Sequence, residues 1–429
     1  MSLGPGIPCP GLMLEMGTMT ELENSPSQFR FLHTSDWQLG MPANFLEPEA
    51  RARFADARLE AVERLFALAQ EQRCEAIVVA GDVFDNNLLR PEVYRRAIDV
   101  LRTSPVPVYL LPGNHDPFDA ASIYRKPEFA QLAQGNPRGV KVEVLQDFAP
   151  LELREGVEIV GAPLLTKKPN EDLVARAIQE CEQRDAEGDA EEAKNRIRVL
   201  VGHGNVSTFG DDNDLSTIDV AAAEDACARR VIDYVALGDT HSAMSLGSTG
   251  RVWYSGAPEV TAFREPHGGG ENNSGKALVV DISVSGSEAH VDVEEFSIGR
   301  WAFRAVEAEI NSRAEAQSFV ESVQEMANKR NLVVKYALKG TVDLHTAAWL
   351  DQQLEESALG FARLYPRERL MDLHVVPDLD ELAEANFGEG FIDSAAKELM
   401  ESAQEDNRAA SDALRLLYRL SAATRKDAV

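Results

Sequence analysis

Five times in this chain a short apolar run ends in glycine or another small residue and then, at once, in Asp, Asn or His. The segments are "RFLHTSDWQ", "AIVVAGDVFD", "VPVYLLPGNHD", "IRVLVGHGN" and "IDYVALGDTH". A short continuous apolar run bounded by turn residues reads as a buried strand. Between the first two lies "ARARFADARLEAVERLFALAQEQ", with Phe54, Leu59, Val62, Leu65, Phe66 and Leu68 near helical spacing. Strands alternating with helices predict an α/β layered fold. One Gly-Asp or Gly-His pair carries little, because such residues are common in turns. Five clusters in sequence, each after an apolar strand, predict a single shared site.

The polar residues at those strand ends are Asp36 and Gln38, Asp82 and Asp85, Asn114, His115 and Asp116, His203, and Asp239 and His241. Asp, Asn and His offer hard oxygen and imidazole donors, which suit divalent cations. A shared carboxylate can bridge two cations and so serve in-line attack on a phosphoryl group. Without cations, carboxylates this numerous would repel one another or take up protons.

The chain has 429 residues, is 44% hydrophobic and carries a net charge of -28. Its length allows more than one core. The acidic balance excludes a protein that coats nucleic acid through a basic surface. It leaves room for an enzyme gripping phosphates through metal ions, or for a basic partner. No apolar run approaches membrane-spanning length. The first 28 residues lack a basic segment followed by an apolar core, so a disordered tail is expected there rather than a signal peptide. The four cysteines are scattered and form no CxxC, which fits a reduced, cytoplasmic protein.

The stretch around "EDLVARAIQECEQRDAEGDAEEAKN" reads as a solvated acidic helix with a loose turn at Gly188. "EPHGGGENNSGK" reads as a flexible loop by composition, and "ALVVDISV" with "AHVDVEEFSI" as a hairpin. After residue 299 the strand-end clusters stop, and strand and helix patterns alternate as far as residue 377. Two helical stripes follow: Ala396, Leu399, Met400 and Ala403, then Ala413, Leu416, Leu417 and Leu420. The expected division is a tail (1–28), a catalytic domain (29–299), a small α+β domain (300–377) and a helical segment (378–429).

The ordered motifs D-x-Q, GDxxD, GNHD, GH and GDxH resemble those of the calcineurin-like metallophosphoesterases. "HTSDWQLG", "VVAGDVFD", "LLPGNHD" and "YSGAPE" resemble the SbcD-type DNA exonucleases among them. The resemblance implies a four-layer sandwich of two mixed sheets flanked by helices, with a small α+β capping domain and C-terminal helices. It implies two divalent metals. Asp36, Gln38, Asp82 and His241 match the positions around the first. Asp82, Asn114, His203 and Asp239 match those around the second, with Asp82 bridging. His115 matches a histidine that faces the scissile phosphate, with Asp85 and Asp116 orienting it or the bridging ligand. Implied partners are DNA and an SMC-like ATPase of the SbcC type, bound through the C-terminal helices; a homodimer is compatible with this.

Two positions depart from the family pattern. Gln38 and Asp239 stand where it has histidine. A neutral amide is a weaker donor than imidazole, whereas Asp239 adds a hard oxygen and a negative charge. That shift predicts manganese, with magnesium as the second option, over zinc. Three functions fit: a metal-dependent nuclease, a small-molecule phosphodiesterase or phosphatase, and a non-catalytic scaffold for the ATPase.

Overall fold

The computed structural model describes residues 27–187, 196–207, 214–376 and 391–404, together with 409, 410, 413, 414, 416 and 417. Most of the expected tail (1–26), the turn at Gly188 and Leu420 of the last stripe lie outside the described residues. Ser27 and Gln28, assigned to the tail by sequence, open the first strand.

Two six-stranded mixed sheets stack face to face. The first runs β12 (Glu288–Ser297), β11 (Lys276–Ser285), β1 (Ser27–Thr34), β2 (Ala76–Val79), β3 (Val108–Leu110), β4 (Val142–Val144). The second runs β5 (Leu151–Arg154), β6 (Val157–Gly161), β7 (Ile197–His203), β8 (Tyr234–Gly238), β10 (Val252–Tyr254), β9 (Met244–Leu246). In the first, β1 to β4 are parallel and β11 and β12 are antiparallel additions. In the second, β6, β7, β8 and β10 are parallel, with antiparallel β5 and β9 at the edges.

Strand alternation explains why these runs are apolar throughout. Phe31 and Val78 point into the core between the sheets, while their neighbours Leu32 and Ile77 point to the outer helical layer. That layer holds α1 (Pro48–Glu71), α2 (Pro91–Leu101) and α3 (Pro127–Gln134). The other outer layer holds α4 (Leu173–Glu187) and α5 (Val220–Ala228). The result is the helix–sheet–sheet–helix sandwich. His33 pins the two sheets to each other: its Nε2–H donates to the Leu237 carbonyl (3.2 Å) and its Nδ1 accepts from Tyr234 Oη (3.1 Å). Burial pushes its pKa down to about 3, so the ring is neutral.

Beyond the sandwich, β13 (Ala302–Ile310), α6 (Arg313–Gln324), β14 (Leu332–Asp343), α7 (Leu344–Ala358), β15 (Arg363–Pro366) and β16 (Asp372–Val376) form a separate core around Val320, Val334, Leu338 and Leu350. All its strand pairs are parallel. It sits against the sandwich through aromatic rings: Phe54 on Trp301, and Phe45 and Phe263 on Phe303. Glu259 of "YSGAPE" fixes the connection. Its buried carboxylate accepts from the backbone N–H groups of Arg300 (3.0 Å) and Trp301 (3.0 Å), where the second unit begins.

The last described helix is α8 (Phe391–Gln404). Its Ala396, Leu399 and Met400 pack on Leu414 and Leu417. Of the expected second stripe Leu417 packs there and Leu416 is exposed, while Ala410 and Leu414, outside that stripe, are buried. Three cysteines, Cys74, Cys181 and Cys227, are buried free thiols, and Cys9 lies outside the described residues. Among the described residues no helix is long and apolar enough to cross a membrane.

Candidate metal centre

The parallel strands of both sheets end on one side of the sandwich, and their carboxyl ends meet there. β1 leads into Asp36 and Gln38, β2 into Asp82, β3 into Asn114 and His115, β7 ends at His203, and β8 leads into Asp239 and His241. Just past β1 and β2 the two chains stay paired: Asp36 N–H donates to Gly81 O (3.0 Å) and Gln38 N–H to Asp82 O (2.9 Å). That path forces unusual backbone. Asp36, Gln38, Asp82 and Asp239 have φ of +53°, +43°, +53° and +102°. Such left-handed conformations are disfavoured for residues with a Cβ and concentrate at functional sites. Glycine is required beside them: a Cβ on Gly113 would collide with the Asp82 carboxylate, and one on Gly81, at φ +89°, with the His203 ring.

Asp36, Asp82 and His203 bring ligand atoms within 4.8 Å of one another, and all three are buried. His203 Nδ1–H donates to the Ala80 carbonyl (2.8 Å), so in the neutral ring Nε2 carries the free lone pair. That atom lies 3.4 Å from Asp82 Oδ1 and 3.8 Å from Asp239 Oδ1. The Asn114 oxygen is 3.0 Å from it. Turned over, the Asn114 amide instead donates to His203 Nε2 (3.0 Å) and to both Asp82 oxygens (3.1 and 3.2 Å). Oxygen inward suits a cation, or a protonated Nε2, among these groups; nitrogen inward pairs with the Asp82 oxygens and a neutral His203 ring.

On the other side, His241 Nε2 lies 3.8 Å from Asp36 Oδ1 and 3.0 Å from the Gln38 amide nitrogen. Gln38 thus meets His241 as a hydrogen-bond donor, and its oxygen must turn inward to ligate. Asp36 is held by Ser35 Oγ–H (2.5 Å) and by the backbone N–H of Asp239 (3.2 Å).

The electrostatics suit a cation. Burial holds the Asp36 carboxyl above its ordinary pKa. Burial also acts to raise Asp82, but the His203 charge outweighs it and Asp82 falls below its usual value. Burial disfavours charged His203, yet Asp82 overrides it, and His203 lies well above the ordinary histidine value. His241 is raised in the same way: Glu271 and Asp36 outweigh its burial. Without a metal the cluster holds protons that a cation would displace. The two imidazole Nε2 atoms, the carboxylates of Asp36, Asp82 and Asp239 and the Asn114 oxygen fit divalent metal; Gln38 fits after an amide turn.

The remaining sequence-predicted residues sit close by. His115 N–H donates to Asp82 Oδ1 (2.9 Å), and its Nδ1–H donates to the Asp85 backbone carbonyl (2.9 Å). Asp85 therefore meets His115 through its main chain; its carboxylate accepts from Asn86 (2.9 Å). Asp116 is fully buried. It accepts from Gly113 N (2.8 Å), Phe84 N (2.9 Å) and Tyr124 Oη (2.6 Å), which joins the β2 and β3 loops. Burial and the Asp82 charge push its pKa up to about 7.

Sequence reasoning missed several supporting groups. Glu271 and Thr261 contact His241 Nδ1 at 3.0 and 2.5 Å. Glu271 belongs to the glycine-rich stretch that composition marks as flexible. Arg58, buried within α1, donates to the Trp37 carbonyl (2.9 Å) and the Val260 carbonyl (3.1 Å) behind the site. Burial pushes its pKa down to about 10, opposed by the charges of Glu259 and Glu271. Nothing in a helix pattern separates such an arginine from a surface one.

Sandwich and strand-end site together define a metallophosphoesterase. The profile of the calcineurin-like phosphoesterase family matches residues 29–243, half of the chain, and the chain belongs to that family. It is thus of a kind that hydrolyses phosphoesters with divalent metal. It is 26% identical over 267 residues to the SbcD component of the SbcCD nuclease of Escherichia coli K12, a match covering 55% of this chain and 62% of that protein. It is 30% identical over 97 residues to the SbcD component of the same nuclease in Bacillus subtilis 168, covering 22% and 23%. The chain spans about three fifths of the length of the E. coli relative. Among solved structures, a dimetal phosphatase from Danio rerio overlaps at TM-score 0.34 and 13% identity, over 61% of this chain and 98% of that one. Vacuolar protein sorting 29 from Cryptosporidium parvum overlaps at 0.26 and 14%, over 63% and 98%. Overlaps this weak add nothing to the family match.

Proposed function

We propose that the chain is a nuclease that hydrolyses DNA phosphodiester bonds with two divalent cations, manganese first and magnesium second, as the catalytic subunit beside an SMC-like ATPase. The observation that carries the hydrolytic reading is the convergence of Asp36, Asp82 and His203 within 4.8 Å, with Asn114, Asp239 and His241 around them. The likeness to the SbcD component of the SbcCD nuclease supports DNA as the substrate.

Cations held there would polarise a phosphoryl oxygen and make an attacking water more acidic. Asp82 shares a 4.8 Å cluster with Asp36 of one ligand set and His203 of the other, which supports its serving both. His115 spends Nδ1–H on Asp85, which leaves Nε2 to hold or deliver a proton at the leaving oxygen. Asp85 and Asp116 support this arrangement from behind, one through its carbonyl and one by joining two loops. The hard oxygen of Asp239 favours manganese or magnesium over zinc. On α8, Phe391 is 86% exposed and Ile392 48%, apolar surface suited to a partner helix or coiled-coil base.

The test pairs linear duplex DNA with a small aryl phosphodiester, each with manganese and with chelator. Manganese-dependent DNA cleavage is expected. Turnover of the aryl ester alone would reassign the chain to small-molecule phosphodiesterases. Neither activity, with no bound metal, would leave a scaffold. Removal of the chain beyond residue 377 should abolish ATPase capture while sparing aryl-ester hydrolysis.

A further inference from the structure

We infer that Glu271 is the positioning residue for His241, fixing which ring nitrogen the metal centre receives. The inference rests on the metal-centre reading above and names a residue outside every strand-end motif.

Hydrogen accounting carries it. Thr261 Oγ lies against Glu271 Oε1 in a short hydrogen bond and 2.5 Å from His241 Nδ1. Glu271 Oε1 is itself 3.0 Å from His241 Nδ1. An ionised carboxylate only accepts, so the Thr261 hydroxyl hydrogen goes to Glu271. The hydroxyl oxygen then faces Nδ1 as an acceptor too. Two acceptors on one ring nitrogen require that it carry a hydrogen. Nδ1–H is therefore shared between Glu271 and Thr261, and Nε2 is the atom left to face Asp36 and Gln38. His203 reaches the same tautomer by another route, through the Ala80 carbonyl. Partners of this kind orient a ligating imidazole and raise its basicity.

The loop holds Glu271 in place before any metal arrives. Its second oxygen accepts from Thr261 N–H (2.9 Å), and its own N–H donates to the Phe263 carbonyl (3.3 Å). Next to this turn, Arg264 is laced to β13: its N–H donates to Phe303 O and its carbonyl accepts from Ala305 N–H, each at 3.1 Å. Glu265 then bridges Lys335 (2.6 Å) and Arg367 (2.7 Å). The loop that completes one ligand is thus anchored to the second unit, and Glu271 itself is buried.

The first measurement is the His241 tautomer in the metal-free protein, read by two-bond proton–nitrogen NMR at alkaline pH and assigned with His241→Gln. Nδ1–H is expected; predominant Nε2–H overturns the inference. This readout needs neither metal nor activity, so it decides the role of Glu271 even where the proposed function fails. The second is manganese calorimetry. Glu271→Ala should weaken binding about 10- to 100-fold and mix the tautomers, and Glu271→Gln, which keeps an acceptor, should recover most of the affinity. Affinity within about twofold of wild type in Glu271→Ala, with the tautomer unchanged, also overturns it.

Discussion

The two sides of the candidate metal centre are held in different ways. Asp82 and His203 are fixed by main chain: the His115 N–H grips one and the Ala80 carbonyl the other. His241 is fixed by side chains from a loop far along the chain, Glu271 and Thr261, and its neighbour Gln38 meets it with an amide. Main-chain partners cannot be mutated away, whereas side-chain partners can. The Asp82 side should therefore be the stiffer and tighter half, and the His241 side the adjustable one.

The largest test of that contrast is Asp82→Ala. As the carboxylate proposed to serve both halves, its loss should weaken both sites by more than about 100-fold, beyond what loss of a mere supporting partner does. Calorimetry that still finds one tight manganese site would show that the halves do not share Asp82. Next comes His115→Ala. Both sites should keep their metal while turnover falls about 100-fold, the scale of a lost general acid or charge stabiliser. Metal loss at unchanged melting temperature would instead make His115 part of the tight half.

Gln38→His should act on the adjustable half alone. Imidazole in place of a neutral amide is expected to strengthen one manganese site about tenfold and leave the other as it was. Unchanged affinity would mean that Gln38 serves only as a donor to His241. The last test touches neither metal site directly and lies beneath both halves, at His33. Its folded pKa, about 3, is below the ordinary 6.5, so its contribution is complete above pH 6.5. It drains away as acid protonates the unfolded chain first, a few kcal/mol at most. Chemical denaturation of chelated protein from pH 7 to pH 5 should show a shallower loss for His33→Gln than for wild type.

The same contrast governs what the sequence revealed. Asp36, Asp82, Asn114, His203 and Asp239 each follow an apolar strand in their own segment, so local pattern was enough to gather them. Glu271 lies 30 residues from its partner His241, inside a stretch whose glycines suggest only looseness. Arg58 lies 202 residues from the Val260 carbonyl it binds. Contacts of that range leave no periodic trace in one sequence. The α/β layering was legible because runs buried on both faces need covering on each side, whereas the two-sheet sandwich followed from the family resemblance. The C-terminal stripe was legible only in part: Leu417 packs as expected, but Leu414 and Leu416 both fit a short amphipathic pattern, and only packing on Ala396 chooses between them.

The left-handed backbone at Asp36, Gln38, Asp82 and Asp239 has an evolutionary consequence. Each such residue carries strain on the order of 1 kcal/mol that glycine would relieve, less the extra freedom glycine gives the unfolded chain. A heat-resistance screen with no catalytic readout therefore meets a route downhill wherever that relief exceeds the loss of the side chain's own hydrogen bonds, and each step along it deletes a side chain from the candidate metal centre. Survivors of such a screen should accumulate glycine there and bind manganese poorly. Adding a hydrolysis step to the same screen should restore all four original residues.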